Sequence, residues 1–251
     1  MVLLSPHWAE RARLYVPSVP VLNLDRRPTR EDLARHRRVL LLALPELPRA
    51  DEPEVRAFLE ARQFRQASER RAFGRLALTV FENTRVEAPV YDFTARVADA
   101  RVFIRRPDGS EEHCPRTGER HPCPRAGWIN VAAETKEIAF KPYRCLWAHP
   151  AGTEPLVISY PAVTLGRELR VMGGIVGQIA FKRAGYATTT LDVFAGGRKL
   201  GDLAAPAGTV KEHRRVFDTS SLAGETHEVR FEVHAPNPHM RHFCFDAGVY
   251  P

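Results

Sequence analysis

The residues that decide the fold are Glu228-Val229-Arg230-Phe231-Glu232-Val233-His234, in which polar and apolar side chains alternate without a break. Successive side chains of a strand point to opposite faces. Val229, Phe231 and Val233 therefore make a dry face, and Glu228, Arg230, Glu232 and His234 a wet one. The same period extends outward from this segment, from about Arg101 to the end of the chain, with turn signals at regular spacing, as in an antiparallel sandwich. Asp108-Gly109 and Gly196-Gly197 separate the strand-like runs of this region, among them Val102 to Arg105 and Leu191 to Phe194, and residues that accept positive φ make tight hairpins there. Further strands are expected at Ile138 to Phe140, Leu156 to Tyr160, Ile179 to Lys182, Val216-Phe217 and Phe243 to Phe245, about eight in all, which fits a jelly roll.

Residues 1–90 read differently. Short apolar runs at Val2 to Leu4, Val19 to Leu24, Val39 to Leu44 and Arg75 to Phe81 alternate with helical patterns. Helices are expected over His7 to Tyr15, after a capping box of Thr29 and Asp32 as far as Arg37, and after Asp51, where Val55, Phe58 and Leu59 share one face. This alternation is the signature of parallel strands joined by crossover helices. The expected class is thus α+β: a reduced, Rossmann-like α/β domain over residues 1–90, then a β-sandwich over residues 91–251, joined within Arg85 to Phe93. No cofactor is expected. Ser5-Pro6-His7-Trp8 stands where a nucleotide fold needs a glycine-rich phosphate loop.

With 44% hydrophobic and 27% charged residues, a 251-residue chain can bury an ordinary core, which argues against disorder along its length. No run reaches the roughly 20 apolar residues of a membrane-spanning helix. Met1 to Leu4 meets Ser5-Pro6 before any export signal develops, so the chain is expected to be either cytoplasmic or part of a longer protein. The formal charge of +7 permits an anionic partner. Only five of the 37 Lys+Arg residues are Lys, however, and the Arg residues are dispersed among acids; a solvated surface is the plainer reading, and no specific nucleic acid is expected.

Cys114, Cys123, Cys145 and Cys244 are an even number in a β-rich region, with no Cys-x-x-Cys pair. Pairing Cys114 with Cys123 closes a short Pro-rich loop, and pairing Cys145 with Cys244 ties an early sandwich strand to the last. The chain-entropy argument gives these bonds about 2.7 and about 4.7 kcal/mol. The alternatives are unpaired buried thiols, or a metal held by His113, Cys114, His121 and Cys123, a donor set whose spacing matches no common zinc pattern. Gly-x-Ser-x-Gly, Walker and His-Glu-x-x-His motifs are absent, so no catalytic residue is assigned.

Four segments carry a family resemblance: Phe73-Gly74-Arg75-Leu76-Ala77-Leu78-Thr79-Val80-Phe81-Glu82-Asn83, the Cys114 to Cys123 insert followed by Trp128, Arg144-Cys145-Leu146-Trp147-Ala148-His149-Pro150, and His242-Phe243-Cys244-Phe245-Asp246-Ala247. Together they resemble the soluble C-terminal region of large bacterial membrane glycosyltransferases of the dolichyl-phosphate-mannose protein mannosyltransferase type. The resemblance implies a preceding membrane portion that uses a polyprenyl-phosphate sugar donor and carries the acidic catalytic residue; that portion is not in this sequence. It also implies an extracytoplasmic, periplasmic and membrane-tethered setting, where disulfides persist. The expected role is a non-catalytic accessory region that contacts glycan or lipid-linked sugar through a sandwich resembling carbohydrate-binding modules. The alternatives are a structural domain that packs on a membrane partner without touching sugar, and an enzyme or zinc protein.

Sugar binding calls for planar rings that stack on the C–H faces of pyranoses, with polar groups nearby for hydroxyls. The candidates are Trp128 with Asn130, Trp147 with His149, Tyr186, and Asn237, His239 and Arg241 of one loop. Trp147 has a competing duty. It lies two residues from Cys145, hence on the same strand face, where it would cover a disulfide.

Overall fold

A computed structural model describes residues 2–5, 19–23, 28–43, 52–177 and 187–251. Strands take 55% of the described residues and helix only 7%, in two short helices, which overturns the α+β class and the Rossmann-like layer. The chain divides into two compact units, residues 1–88 and 89–251. The expected helix over His7 to Tyr15, the Asp51 cap, the strand at Ile179 to Lys182 and Tyr186 lie outside the described residues.

The first unit contains β1 (Val2–Ser5), β2 (Val21–Asn23), α1 (Arg30–Ala34), β3 (Arg38–Ala43), α2 (Glu52–Glu60), β4 (Phe64–Gln66), β5 (Arg71–Phe73) and β6 (Leu76–Asn83). Its sheet runs β2-β1-β3-β6-β4, with β5 paired to β6. β1 is parallel to β2 and β3, but β6 runs antiparallel to β3, β4 and β5. This makes a mixed sheet rather than a doubly wound one. The misreading has a physical source: a short apolar strand looks the same whether it returns parallel or antiparallel, and β4 and β5 are too brief and polar to show a period. Local signals were sound where they were local. Thr29 and Asp32 form the reciprocal capping box of α1, and Leu59 of α2 is buried with Val55 and Phe58 packed beside it.

The second unit contains β7 (Tyr91–Asp92), β8 (Arg101–Arg105), β9 (Glu111–His113), β10 (Arg120–Cys123), β11 (Ala126–Ile138), β12 (Lys141–Ala148), β13 (Leu156–Thr164), β14 (Glu168–Ile175), β15 (Thr189–Ala195), β16 (Arg198–Ala205), β17 (His213–Asp218), β18 (Thr226–His234) and β19 (Phe243–Tyr250). They form a β-sandwich. One sheet has the order β10-β11-β12-β19-β14-β17, with β7 also on β19; the other has the order β16-β15-β18-β13-β8-β9. β18 holds the Glu228 to His234 segment between β15 and β13. Val229, Phe231 and Val233 are fully buried and meet Leu146, Phe243, Phe245, Ala247 and Val249 of the other sheet in one core. On the opposite face Glu232 is also buried, because Arg105 grips it with two hydrogen bonds and Arg230 adds a third contact. Both hairpins read from Asp108-Gly109 and Gly196-Gly197 are present: Gly109 turns β8 into β9 at φ 82°, and Gly196 and Gly197 turn β15 into β16 at φ 56° and 77°.

Candidate functional site

The sulfur atoms come first, since they position the rest. Cys114 is bonded to Cys123 and Cys145 to Cys244, with Cα atoms 4.2 and 5.8 Å apart. The metal alternative fails on this point, because disulfide sulfurs have no thiolate to offer a cation. Of its imidazoles, His113 lies beside Glu111 on the surface, whereas His121 is buried against the carbonyls of Val97 and Cys114. Cys145 and Cys244 do not bridge the two sheets. They link neighbouring strands β12 and β19 on the outer face of one sheet, where Ile138 and Met172 cover them and Tyr143 and Trp147 pack alongside.

The same outer face carries a row of rings. Trp147 pairs with Cys244 across the β12–β19 ladder. Its ring centroid lies 5.7 Å from His242 and 6.0 Å from His149; His149 in turn is 5.3 Å from His242 and 4.7 Å from Trp128, all edge-on. Lys136 places Nζ 5.7 Å over Trp147 and is paired with Glu134, which Arg120 also contacts. Trp128, on β11, is the member left open: 52% of it is exposed, against 4% of His149. Trp128 is thus the ring with a face available for stacking, while Trp147 is committed to the disulfide.

His149 is chemically fixed. Its Nδ1 lies 3.0 Å from the Pro150 carbonyl, which only accepts, so Nδ1 carries the hydrogen and neutral Nε2 keeps its lone pair. Burial holds the imidazole down from 6.5 to about 4 against the help of that hydrogen bond, and the neighbouring Arg241 guanidinium adds to the depression. His242 is lowered too, by burial and then by Lys136 and Arg241. At neutral pH both imidazoles of the row are therefore uncharged, and His149 presents an acceptor.

The other expected residues divide. Asn130 is buried below Trp128 on the same strand; its Nδ2 lies 3.4 Å from the carbonyls of Gly127 and Trp128, and its Oδ1 meets no hydrogen-bond partner among the described residues. Asn237 turns its side-chain oxygen onto the His239 N–H and so shapes the β18–β19 loop. Arg241 is fully buried beside His242, with its N–H on the Pro238 carbonyl. Sequence reasoning missed His242 and Lys136 as members. The period of two signals both, since His242 is two residues from Cys244 and Lys136 is an even number of residues from Trp128 and Asn130.

The sequence matches no protein-family model and no curated protein. Solved structures that align with it include CBM51-2 with the INT domains of ZmpB from Clostridium perfringens, at 12% identity and TM-score 0.31 over 59% of this chain and 25% of that chain. CBM51 from Clostridium perfringens GH95 in complex with methyl-galactose aligns at 10% identity and TM-score 0.30, over 60% of this chain and 78% of that one. Tandem CBM51 modules of a family 98 glycoside hydrolase from Streptococcus pneumoniae align at 11% identity and TM-score 0.34, over 69% and 57%. The chain spans about a quarter of the length of the first of these structures.

Proposed function

We propose that the second unit is a non-catalytic sugar-binding module whose platform is Trp128. The observation that supports this reading is the half-exposed indole standing edge-on to a neutral, buried His149 with a defined acceptor nitrogen. A pyranose needs a flat apolar ring for its C–H face and fixed polar groups for its hydroxyls, and these lie side by side here. Two disulfides accord with an oxidising compartment. From the resemblance in the sequence we further propose that the module is periplasmic, an accessory region of a polyprenyl-phosphate-sugar-dependent membrane glycosyltransferase that contacts glycan or lipid-linked sugar. Among the described residues no helix is long and apolar enough to cross a membrane.

A glycan array and a titration with lipid-linked sugar test the reading. The expected result is binding by the wild type and its loss in Trp128→Ala. No binding by the wild type overturns it; cross-linking to a membrane partner in the absence of sugar affinity then supports the structural role instead.

A further inference from the structure

Two polar side chains packed at Trp128 are left with an acceptor each. The Nδ1–H of His149 is spent on the Pro150 carbonyl at 3.0 Å, so the ring keeps Nε2 as a lone pair with no partner among the described residues. Asn130 repeats the pattern. Its backbone carbonyl takes the His149 N–H at 3.4 Å, which sets the two residues side by side, and its Nδ2 lies 3.4 Å from the carbonyls of Gly127 and Trp128. The amide end is thus engaged, whereas Oδ1 is enclosed and meets no donor among the described residues. A buried acceptor without a donor carries its full desolvation cost, so a group that brings it a hydrogen is stabilising. The donors at hand are committed or misdirected: Lys136 is held by Glu134 at 2.5 Å, and the indole N–H of Trp128 lies in the plane of its ring, pointing past a sugar stacked on the face.

Building on the sugar-binding reading, we infer that this site takes a neutral pyranose and reads one of its hydroxyls as a donor: the sugar ring lies on Trp128 and an O–H is directed at the Nε2 lone pair of His149, with Asn130 Oδ1 as the second acceptor. A hydroxyl suits this place because it carries one hydrogen and rotates about its C–O bond to bring it to the acceptor. A carboxylate or a sulfate has only lone pairs to set against those of His149 and Asn130, and its desolvation there goes uncompensated. His149 therefore sets the specificity, and Trp128 supplies the bulk of the affinity. A site built to hydrogen-bond a substrate hydroxyl rejects the analogue that lacks it, because the buried group is then left unpaired.

Calorimetric titration of the whole chain at neutral pH compares the methyl glycosides of glucose, galactose and mannose, and then the tightest of them with its deoxyfluoro derivatives, position by position. Fluorine keeps nearly the size and polarity of the hydroxyl it replaces but has no hydrogen to donate. The expected result is one position at which the fluoro derivative binds about tenfold or more weakly than its parent. Methyl glucuronide, the carboxylate counterpart of methyl glucoside, should bind more weakly than that glucoside. In His149→Phe, which keeps a ring against Trp128 but removes the lone pair, the parent and the discriminated derivative should come within about twofold of each other. Loss of packing alone does not produce that convergence, a thermal melt checks the fold of the variant, and the sugar series itself needs only the wild type. Fluoro derivatives that all bind within about twofold of the parent, tighter binding of the glucuronide, or a discrimination that persists in folded His149→Phe overturns this inference and leaves the sugar-binding reading standing. Binding of none of the three glycosides overturns the inference too, and a blank glycan array besides overturns the sugar-binding reading as well.

Discussion

Trp147 stands directly opposite Cys244 in the β12–β19 ladder and two residues from Cys145, to which Cys244 is bonded. One covalent bond thus fixes the strand pair that sets His149 against His242. The ring row is only as well aligned as that pair of strands, and the bond restrains their sliding.

The two disulfides should differ in weight. Cys145 and Cys244 are 99 residues apart and Cys114 and Cys123 only 9, so restricting the unfolded chain is worth about 4.7 kcal/mol in one case and about 2.7 in the other. Denaturant titration of the double variants Cys145→Ala/Cys244→Ala and Cys114→Ala/Cys123→Ala checks this. The first should lose more stability and show altered Trp147 fluorescence; an equal loss contradicts the loop-length argument.

The two indoles should separate binding from stability. Trp128 is half exposed, so Trp128→Ala should change stability by less than about 0.5 kcal/mol while weakening sugar binding by about 2 kcal/mol or more, as for a central contact residue. Trp147 packs on the disulfide cluster, and Trp147→Ala should lower the melting temperature as well. Matched melts and titrations of both variants decide the matter, and a Trp128→Ala protein that binds normally removes the platform.

Stability should fall in acid through His149. In the unfolded chain an imidazole takes up its proton near 6.5, but burial keeps the folded one neutral to about 4. Between these values the unfolded state binds more protons, so the contribution is complete above about pH 6.5 and is lost progressively as the pH drops toward 4. His36 of the first unit, lowered to about 4 chiefly by burial, acts in the same direction. Denaturation midpoints across that window should drop less steeply in His149→Gln than in the wild type. Parallel curves would show that His149 titrates normally.

Tyr160 provides a test of the sandwich core. It is fully buried and donates its hydroxyl to the Phe93 carbonyl at 2.7 Å, and burial pushes its phenol well above the usual range. Tyr160→Phe keeps the packing with Phe93 and Phe231 but strips the carbonyl of this donor, at an expected cost of about 1–3 kcal/mol. Urea titration at neutral pH measures it; a neutral substitution would mean that the carbonyl finds another donor.

What the sequence determined by itself is the local layer of this protein. The alternation of Glu228 to His234 specifies a strand with one dry face, Gly109 and the Gly196-Gly197 pair specify two hairpins, Thr29 and Asp32 specify a helix start, and four cysteines allow a framework of two disulfides, whose pairing the structure then shows. Each of these rests on backbone geometry or chain entropy over a defined run of residues. Tertiary structure alone decided that β6 returns antiparallel against β3, which replaced the expected α/β layer by a mixed sheet, and that Glu232, on the wet face by its period, is enclosed by two arginines. It also decided the site. Trp128 lies on β11, His149 just past the end of β12 and His242 just before β19, and only the order β11-β12-β19 makes them neighbours. Strand order and direction follow from which apolar faces bury one another across the whole chain, and a short sequence pattern carries its own period without naming the strand it will meet.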